Sequence, residues 1–377
     1  MEKKTAPRPA ATLTEVEFDA KLTVSMLRLP KWIRPIKTML SGYANPEEQP
    51  LFKVTWKSWL ALYFTGLLLS LGATFVASLH RALWPMLPVF WMLTTGFMRA
   101  AGTTLIHHAS HDNLTENEVR DRLLADALGI LFWLPPFAKY FQDHRKGHHP
   151  YLSTDKDPDL RWIREQGFLP GRTRAYYWRH LVWLMANPVF HFRYVLSRLQ
   201  ANLAYGSAGR RLAFTASLLV YGLLFRLGLG KELLVVWLIP MLPFYSIAGL
   251  LQNLTEHNWV RQEGRLQMMT VDRYFGVTVP PDDAGAWRWA VWILGMTVQG
   301  LIRHFVVPFD LANHRPHHLN QKSDWKHHAY ARMQEARKNP ASWQGAETWG
   351  MRQALDRTFS ALSALPASAH LGFPDTY

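Results

Sequence analysis

The chain has 377 residues, with 42 lysines and arginines against 28 aspartates and glutamates, a formal net charge of +14 at pH 7, 17 histidines, 17 tryptophans and no cysteine. The lack of cysteine excludes a disulfide scaffold, a thiolate-held iron–sulfur protein and a thiol-dependent enzyme. Charged residues are 19% of the chain, below the roughly 25% of ordinary soluble domains, and the apolar residues come in blocks.

Taken in chain order, the blocks predict an all-α integral membrane protein with four transmembrane helices in two hairpins. Residues 1–54 form a basic segment, and no apolar core with a cleavage site follows its start, so it does not read as a signal peptide. Ser58 to Leu79 then runs 22 residues without a charge, enough to cross a hydrocarbon layer of about 30 Å at about 1.5 Å per residue. Ala82 to Met98 is again charge-free, and its apolar character continues past Arg99 through Leu105 after a very short turn. Leu212 to Gly230 carries only Arg226 near its end, and Leu233 to Thr255 is 23 residues without a charge. The turn around Gly230 makes this second pair a hairpin too.

Charge sets the expected orientation. Lys3, Lys4, Arg8, Lys21, Arg28, Lys31, Arg34, Lys37, Lys53 and Lys57 precede the first span, whereas the two hairpin turns hold only Arg81 and Lys231, with Arg226 beside the second. By the positive-inside rule both termini and the central region face the cytoplasm. The +14 charge fits anionic lipid headgroups or an acidic electron donor, so no nucleic-acid partner is expected. Leu123–Phe141, Tyr176–Leu199 and Trp287–Val307 are apolar but interrupted by prolines or charges. They read either as interfacial helices with an aromatic belt or as amphipathic helices of a cytoplasmic cap. The residues after Leu362 read as a loose terminus.

Fifteen of the seventeen histidines lie between His107 and His328, in groups: His107, His108 and His111; His144, His148 and His149; His257; His314, His317 and His318; His327 and His328. His107 and His111, four apart, share a helix face. The predicted topology delivers the first three groups, and the one at His314, to the same membrane face. Nine imidazoles result: His107, His111, His144, His148, His149, His257, His314, His317 and His318. They exceed the needs of one tetrahedral zinc and suffice for two metals with four or five nitrogens each. Imidazole suits zinc, copper, iron and nickel alike. His180, His191, His304, His327 and His328 lack ligand spacing beside a span and read as interfacial or solvated, and His108 as packing or as support for a ligand.

At these residues the sequence resembles the membrane-bound fatty-acid desaturase and hydroxylase superfamily, whose mark is three histidine boxes around four transmembrane helices. The boxes are His107-His-Ala-Ser-His111, His144-Arg-Lys-Gly-His148-His149 and His314-Arg-Pro-His317-His318. The resemblance covers residues 55–320, leaving 321–377 as a C-terminal cytoplasmic tail. It also extends to Asn253-x-x-x-His257 and to the run from His148 to Asp159, which is similar to the segment after the second box in bacterial desaturases and carotenoid ketolases. It implies two iron ions held almost entirely by the nine histidines, with Asn253 reaching a metal through a water. The irons activate O2 using electrons from a separate ferredoxin- or cytochrome-type donor.

Asp112, Asp143, Glu256 and Asp310 adjoin the boxes and are candidates to hold the non-ligating ring N–H of a histidine. Asp155, Asp157 and Asp159 fit either that role or a solvated acidic turn. A zincin peptidase would need a glutamate after the first histidine, but His108 and Arg145 stand there. A metal transporter would want ionisable groups inside the spans, and the fourth has only Asn253 near its end. The expectation is desaturation of an acyl or lipid-like substrate that reaches the metals from the bilayer. Hydroxylation or ketolation of a hydrophobic substrate is the alternative.

Overall fold

The computed structural model describes residues 21–259, 270–338 and 347–369. The expected loose terminus after Leu362 therefore falls partly outside the described residues, at 370–377, as does the start of the basic segment, at 1–20.

The first long helix, Trp56–Leu79, begins where the Thr55 side chain accepts from the Ser58 N–H and the Ser58 hydroxyl answers toward Thr55 N, a capping box that satisfies otherwise orphaned donors. It is apolar around nearly its whole circumference, with Leu62, Leu68, Leu69, Phe75 and Val76 exposed. The chain turns through a short 3-10 segment, Arg81–Met86, and returns as Leu87–Arg99, which continues through a π-turn, Ala100–Thr104, into Leu105–Ser110. The two helices pack closely at Gly66, where any added Cβ would run into the Phe97 ring.

Ala208–Arg226 is capped by Ser207. The run Gly230–Glu256 contains two wide π segments, Leu233–Leu238 and Pro240–Phe244. Pro240 and Pro243 cannot donate to the helical ladder, which frees carbonyls that must find donors elsewhere. Trp91 Nε1 donates to Val235 O, five residues before Pro240, at 2.8 Å, so the returning helix supplies one such donor, and Thr95 Oγ1 donates to Pro240 O at 2.9 Å. Lys231 Nζ reaches Ser78 O at 3.4 Å, so the turn before this run lies beside the turn after the first helix. His107 and His257 consequently emerge together at the far end.

Among the described residues, three helices are long and apolar enough to cross a membrane: Trp56–Leu79, Ala208–Arg226 and Gly230–Glu256. The second predicted span is not one of them. Its α-helix starts only at Leu87, and it carries a buried arginine, Arg99, in its middle. The remaining apolar stretches fold as Glu118–Leu131, Phe137–Phe141, Arg174–Ala186, Pro188–Ala204 and Ala286–Val306. Arg210 ties several of these together, with an ion pair to Asp126 at 2.6 Å and hydrogen bonds to Asn202 Oδ1 and Leu134 O.

One small departure from an all-α fold places the last box. Asp272–Tyr274 and Glu347–Trp349 form a two-stranded parallel sheet with Asp272 opposite Glu347, and Arg332 pairs with both of those carboxylates. Isolated bridges join His257 to Thr270 and Asp272 to Asn313. The residue that leaves the long apolar run is thereby tied to the residue before His314.

Candidate metal centre

The first box lies on Leu105–Ser110, where His107 and His111 are one α-helical turn apart. The second lies on a π segment, Gln142–His148, closed by His149 N–H donating to His144 O at 3.1 Å. This wide turn matters because i to i+5 bonding brings residues four and five ahead to either side of the starting residue. His148 and His149 therefore flank the His144 face instead of diverging. The third box occupies the short helix Arg315–Leu319 with His314 at its N-cap. There His314 and His318 are one turn apart, while adjacent His317 points elsewhere, as successive helical residues must.

Two compact groups result. His107, His111, His144 and His317 bring one ring nitrogen each to within 4.8 Å of one another, all buried, and His148, His257, His314 and His318 do the same. His149 sits between: its Nε2 is 3.1 Å from His144 Nε2 and 3.2 Å from His317 Nε2, and its ring stacks on His318 with centroids 4.2 Å apart. All nine imidazoles predicted from the sequence are brought together. Each doubled histidine divides: His317 joins the first group and His318 the second, and His148 and His149 part likewise.

Several of these nitrogens nearly touch, at 3.1 Å between His144 and His111 and 2.8 Å between His318 and His314. Two imidazoles bound to one ion at about 2.1 Å and roughly a right angle lie about 3 Å apart, so the donor set fits a first-row metal. Burial holds the imidazoles of His107, His144, His314, His317 and His318 well below their ordinary pKa, with neighbouring histidines adding to the effect. Burial likewise lowers His111 to about 3 and His149 to about 2. Neutral imidazole is the form that ligates.

The outward ring nitrogens are held in turn. His148 Nδ1 is 2.9 Å from Asp157 Oδ1 and 3.3 Å from Asp159 Oδ2. Burial opposes charge on this imidazole, but Asp159 and Asp157 outweigh it and raise its pKa to about 9. Asp157 is fully buried and also accepts from the N–H groups of Ser153 and Asp159, fixing the loop that follows the box. Ser153 there adopts φ 58°, a left-handed conformation that a side chain other than glycine holds only under such constraint. Glu256 lies 3.4 Å from His314 Nδ1, and the Tyr140 hydroxyl is 3.4 Å from His107 Nδ1.

Of the four carboxylates singled out, Glu256 supports a clustered histidine and Asp310 holds His108 at 2.6 Å. Asp112 and Asp143 instead pair with Arg145 and Lys139. The expected division of the acidic run falls between its members, because Asp157 and Asp159 serve His148 while Asp155 pairs with Arg164 at 2.7 Å. Gln321, which sequence reasoning missed, contacts His111 Nδ1 at 3.1 Å and His149 Nδ1 at 3.4 Å. Its only sequence signal is its place shortly after the third box.

A cavity of about 380 Å³ adjoins both groups. His107, His144, His148 and His314 line it, together with Asn253, Glu256, Tyr140, Trp162 and Arg99.

Comparison with known proteins agrees with this arrangement. No solved structure matches the chain. A dihydrorhizobitoxine desaturase from Bradyrhizobium elkanii is 25% identical over 193 residues, which cover 46% of this chain and 53% of that protein; the chain thus spans about half the length of this curated relative. The sequence pattern named fatty acid desaturase matches residues 82–345, a stretch that holds all three boxes, His257 and every ring nitrogen of the two groups, and the chain belongs to the fatty acid desaturase family.

Proposed function

We propose that the protein is a membrane-embedded, O2-dependent di-iron oxidoreductase that desaturates a hydrocarbon segment of an acyl or lipid-like substrate. The observation that carries this is the gathering of eight imidazoles, seven of them buried, into two groups of four beside one cavity, with His149 between them. One iron is assigned to His107, His111, His144 and His317 with His149 beside them, the other to His148, His257, His314 and His318, and Asn253 faces the same cavity. Two irons so held supply O2 activation and removal of hydrogen from an unactivated C–H bond. Burial keeps the imidazoles of His107, His111, His144, His149, His314, His317 and His318 neutral, and Asp157, Asp159, Glu256 and Gln321 orient the cluster.

The exposed apolar faces of the long helices support membrane embedding, because a monomer in water rarely leaves such continuous apolar surface uncovered. In this reading the run from Leu87 to Leu105 is the fourth crossing, packed beside Trp56–Leu79, and the histidines and both termini are cytoplasmic. Arg99 is then an intramembrane charge turned to the protein interior. Electrons come from a separate ferredoxin- or cytochrome-type donor. A relative named for desaturation favours that outcome over hydroxylation. The test is metal analysis of the purified protein with mass spectrometry of host lipids and small acids. Two irons per chain and a product lacking two hydrogens support the reading; gain of one oxygen points to the hydroxylase alternative, and a single zinc with unchanged products refutes it.

A further inference from the structure

The cavity beside the histidines has an unusual wall. Of the described residues that line it, only Pro158 and Gly249 lack a charged or hydrogen-bonding side chain, and no aliphatic Leu, Ile, Val or Met is among them. Its apolar surface comes from ring faces such as those of Tyr140, Tyr194 and Trp162. Ligand sites for largely hydrocarbon molecules are lined mainly by apolar side chains, and a methylene chain placed here would desolvate polar groups without repaying their hydrogen bonds.

Arg99 is the cation in that wall. It is 2% exposed; among the other buried arginines Arg210 has Asp126, Arg332 has Asp272 and Arg273 is 3.9 Å from Glu256, whereas Arg198 and Arg303 donate to backbone carbonyls. Among the described residues, no carboxylate lies within ion-pair reach of Arg99. Its NH2 group donates to Gln252 Oε1 and to Val306 O, its guanidinium lies over the Tyr245 ring at 5.0 Å, and its Nε finds no hydrogen-bond partner. A guanidinium buried without a counter-ion is costly, and its planar fork matches a carboxylate.

We propose that this cavity binds a short-chain substrate through an anionic carboxylate held by Arg99, with the hydrocarbon part of the molecule against the histidines. The inference rests on the di-iron reading above and narrows its substrate from a long acyl chain to a small acid. A volume of about 380 Å³ is at the lower end of small-molecule sites. Gly249 keeps it open, because a side chain there would meet nothing nearer than Arg99 NH1 at 3.8 Å and would grow into the free space.

The full chain, purified in detergent, is titrated with hexanoate, methyl hexanoate and palmitate, following thermal stability and tryptophan fluorescence. Hexanoate is expected to bind about tenfold or more tightly than its methyl ester, the worth of one charge-assisted contact. Arg99→Gln should lose that preference, and Gly249→Leu should lose hexanoate binding with iron content retained. Equal binding of acid and ester, or palmitate binding tenfold tighter than hexanoate, overturns the proposal, and neither comparison needs a variant that folds. Iron content of the same preparation separates the two readings: two irons without preference for hexanoate sinks the cavity assignment alone, whereas hexanoate preference without iron sinks the di-iron assignment alone.

Discussion

Asp157→Asn tests whether the groups behind the histidines tune the metal centre. The native carboxylate accepts three hydrogen bonds: from His148 Nδ1 at 2.9 Å, from Asp159 N at 2.9 Å and from Ser153 N at 2.8 Å. An amide has one oxygen, so its NH2 must face either the His148 ring or the Ser153 N–H, donor against donor. Leaving one such buried donor unpaired costs about 1–3 kcal/mol of stability. Loss of the support behind a ligating histidine typically costs about 10–100-fold in metal affinity, or about 1.4–2.7 kcal/mol. The assay is competition with a chelator of known affinity, read as iron per chain, alongside thermal melting. Asp155→Asn is the control: Asp155 pairs with Arg164 where both are partly exposed, a contact worth about 0–1 kcal/mol, and metal affinity should not change. If folded Asp157→Asn protein surrenders iron at the same chelator concentration as the native protein, the assignment of His148 as a ligand supported by Asp157 is wrong.

Replacing His148 or His318 by alanine should abolish turnover and lower bound iron while the protein stays membrane-integrated, whereas His327→Ala should keep both, because His327 contacts Asp324 and the Phe52 carbonyl; iron analysis of membrane-extracted protein reads each. Arg210→Met should lower stability by about 2–4 kcal/mol, measured as a drop in melting temperature, since it strands the buried Asn202 Oδ1 and leaves Asp126 without its cation. His328 is half-buried with its Nε2 closed off from solvent, and burial pushes its imidazole down to about 3, so between about pH 6.5 and 3 the unfolded chain binds the extra proton. Stability from this group is complete above pH 6.5 and lost as pH falls, at up to about 1.4 kcal/mol per pH unit. Denaturation at pH 7.5 and 5 should show a smaller acid loss for His328→Phe than for the native chain, and an equal loss contradicts the burial argument.

The sequence alone made the helical class, the apolar runs and the nine clustered histidines legible, for local reasons. An uncharged run long enough to cross a bilayer has few other uses, and histidines spaced one turn apart share a face wherever the helix ends up. Spacing also separated the nine clustered imidazoles from His180, His191 and His327. His304 and His328, expected to be interfacial or solvated, are half-buried and stand outside the two groups.

What only the tertiary structure decided depends on contacts between distant parts of the chain. How His148 and His149 sit about His144 depended on the π-turn at Gln142–His148, which no spacing rule reveals. That Asp157 and not Asp112 supports a box histidine followed from a left-handed turn at Ser153 and a competing arginine at position 145. Gln321 reached the site because a bridge between Asp272 and Asn313 fixes where the third box begins. Arg99, which in sequence is one charge interrupting an apolar stretch, became the cation of a polar cavity only once Gln252, Val306 and Tyr245 closed around it. Local periodicity follows from backbone geometry and can be read along the chain, whereas the partner of a buried charge is set by whichever remote group the packed fold brings within reach.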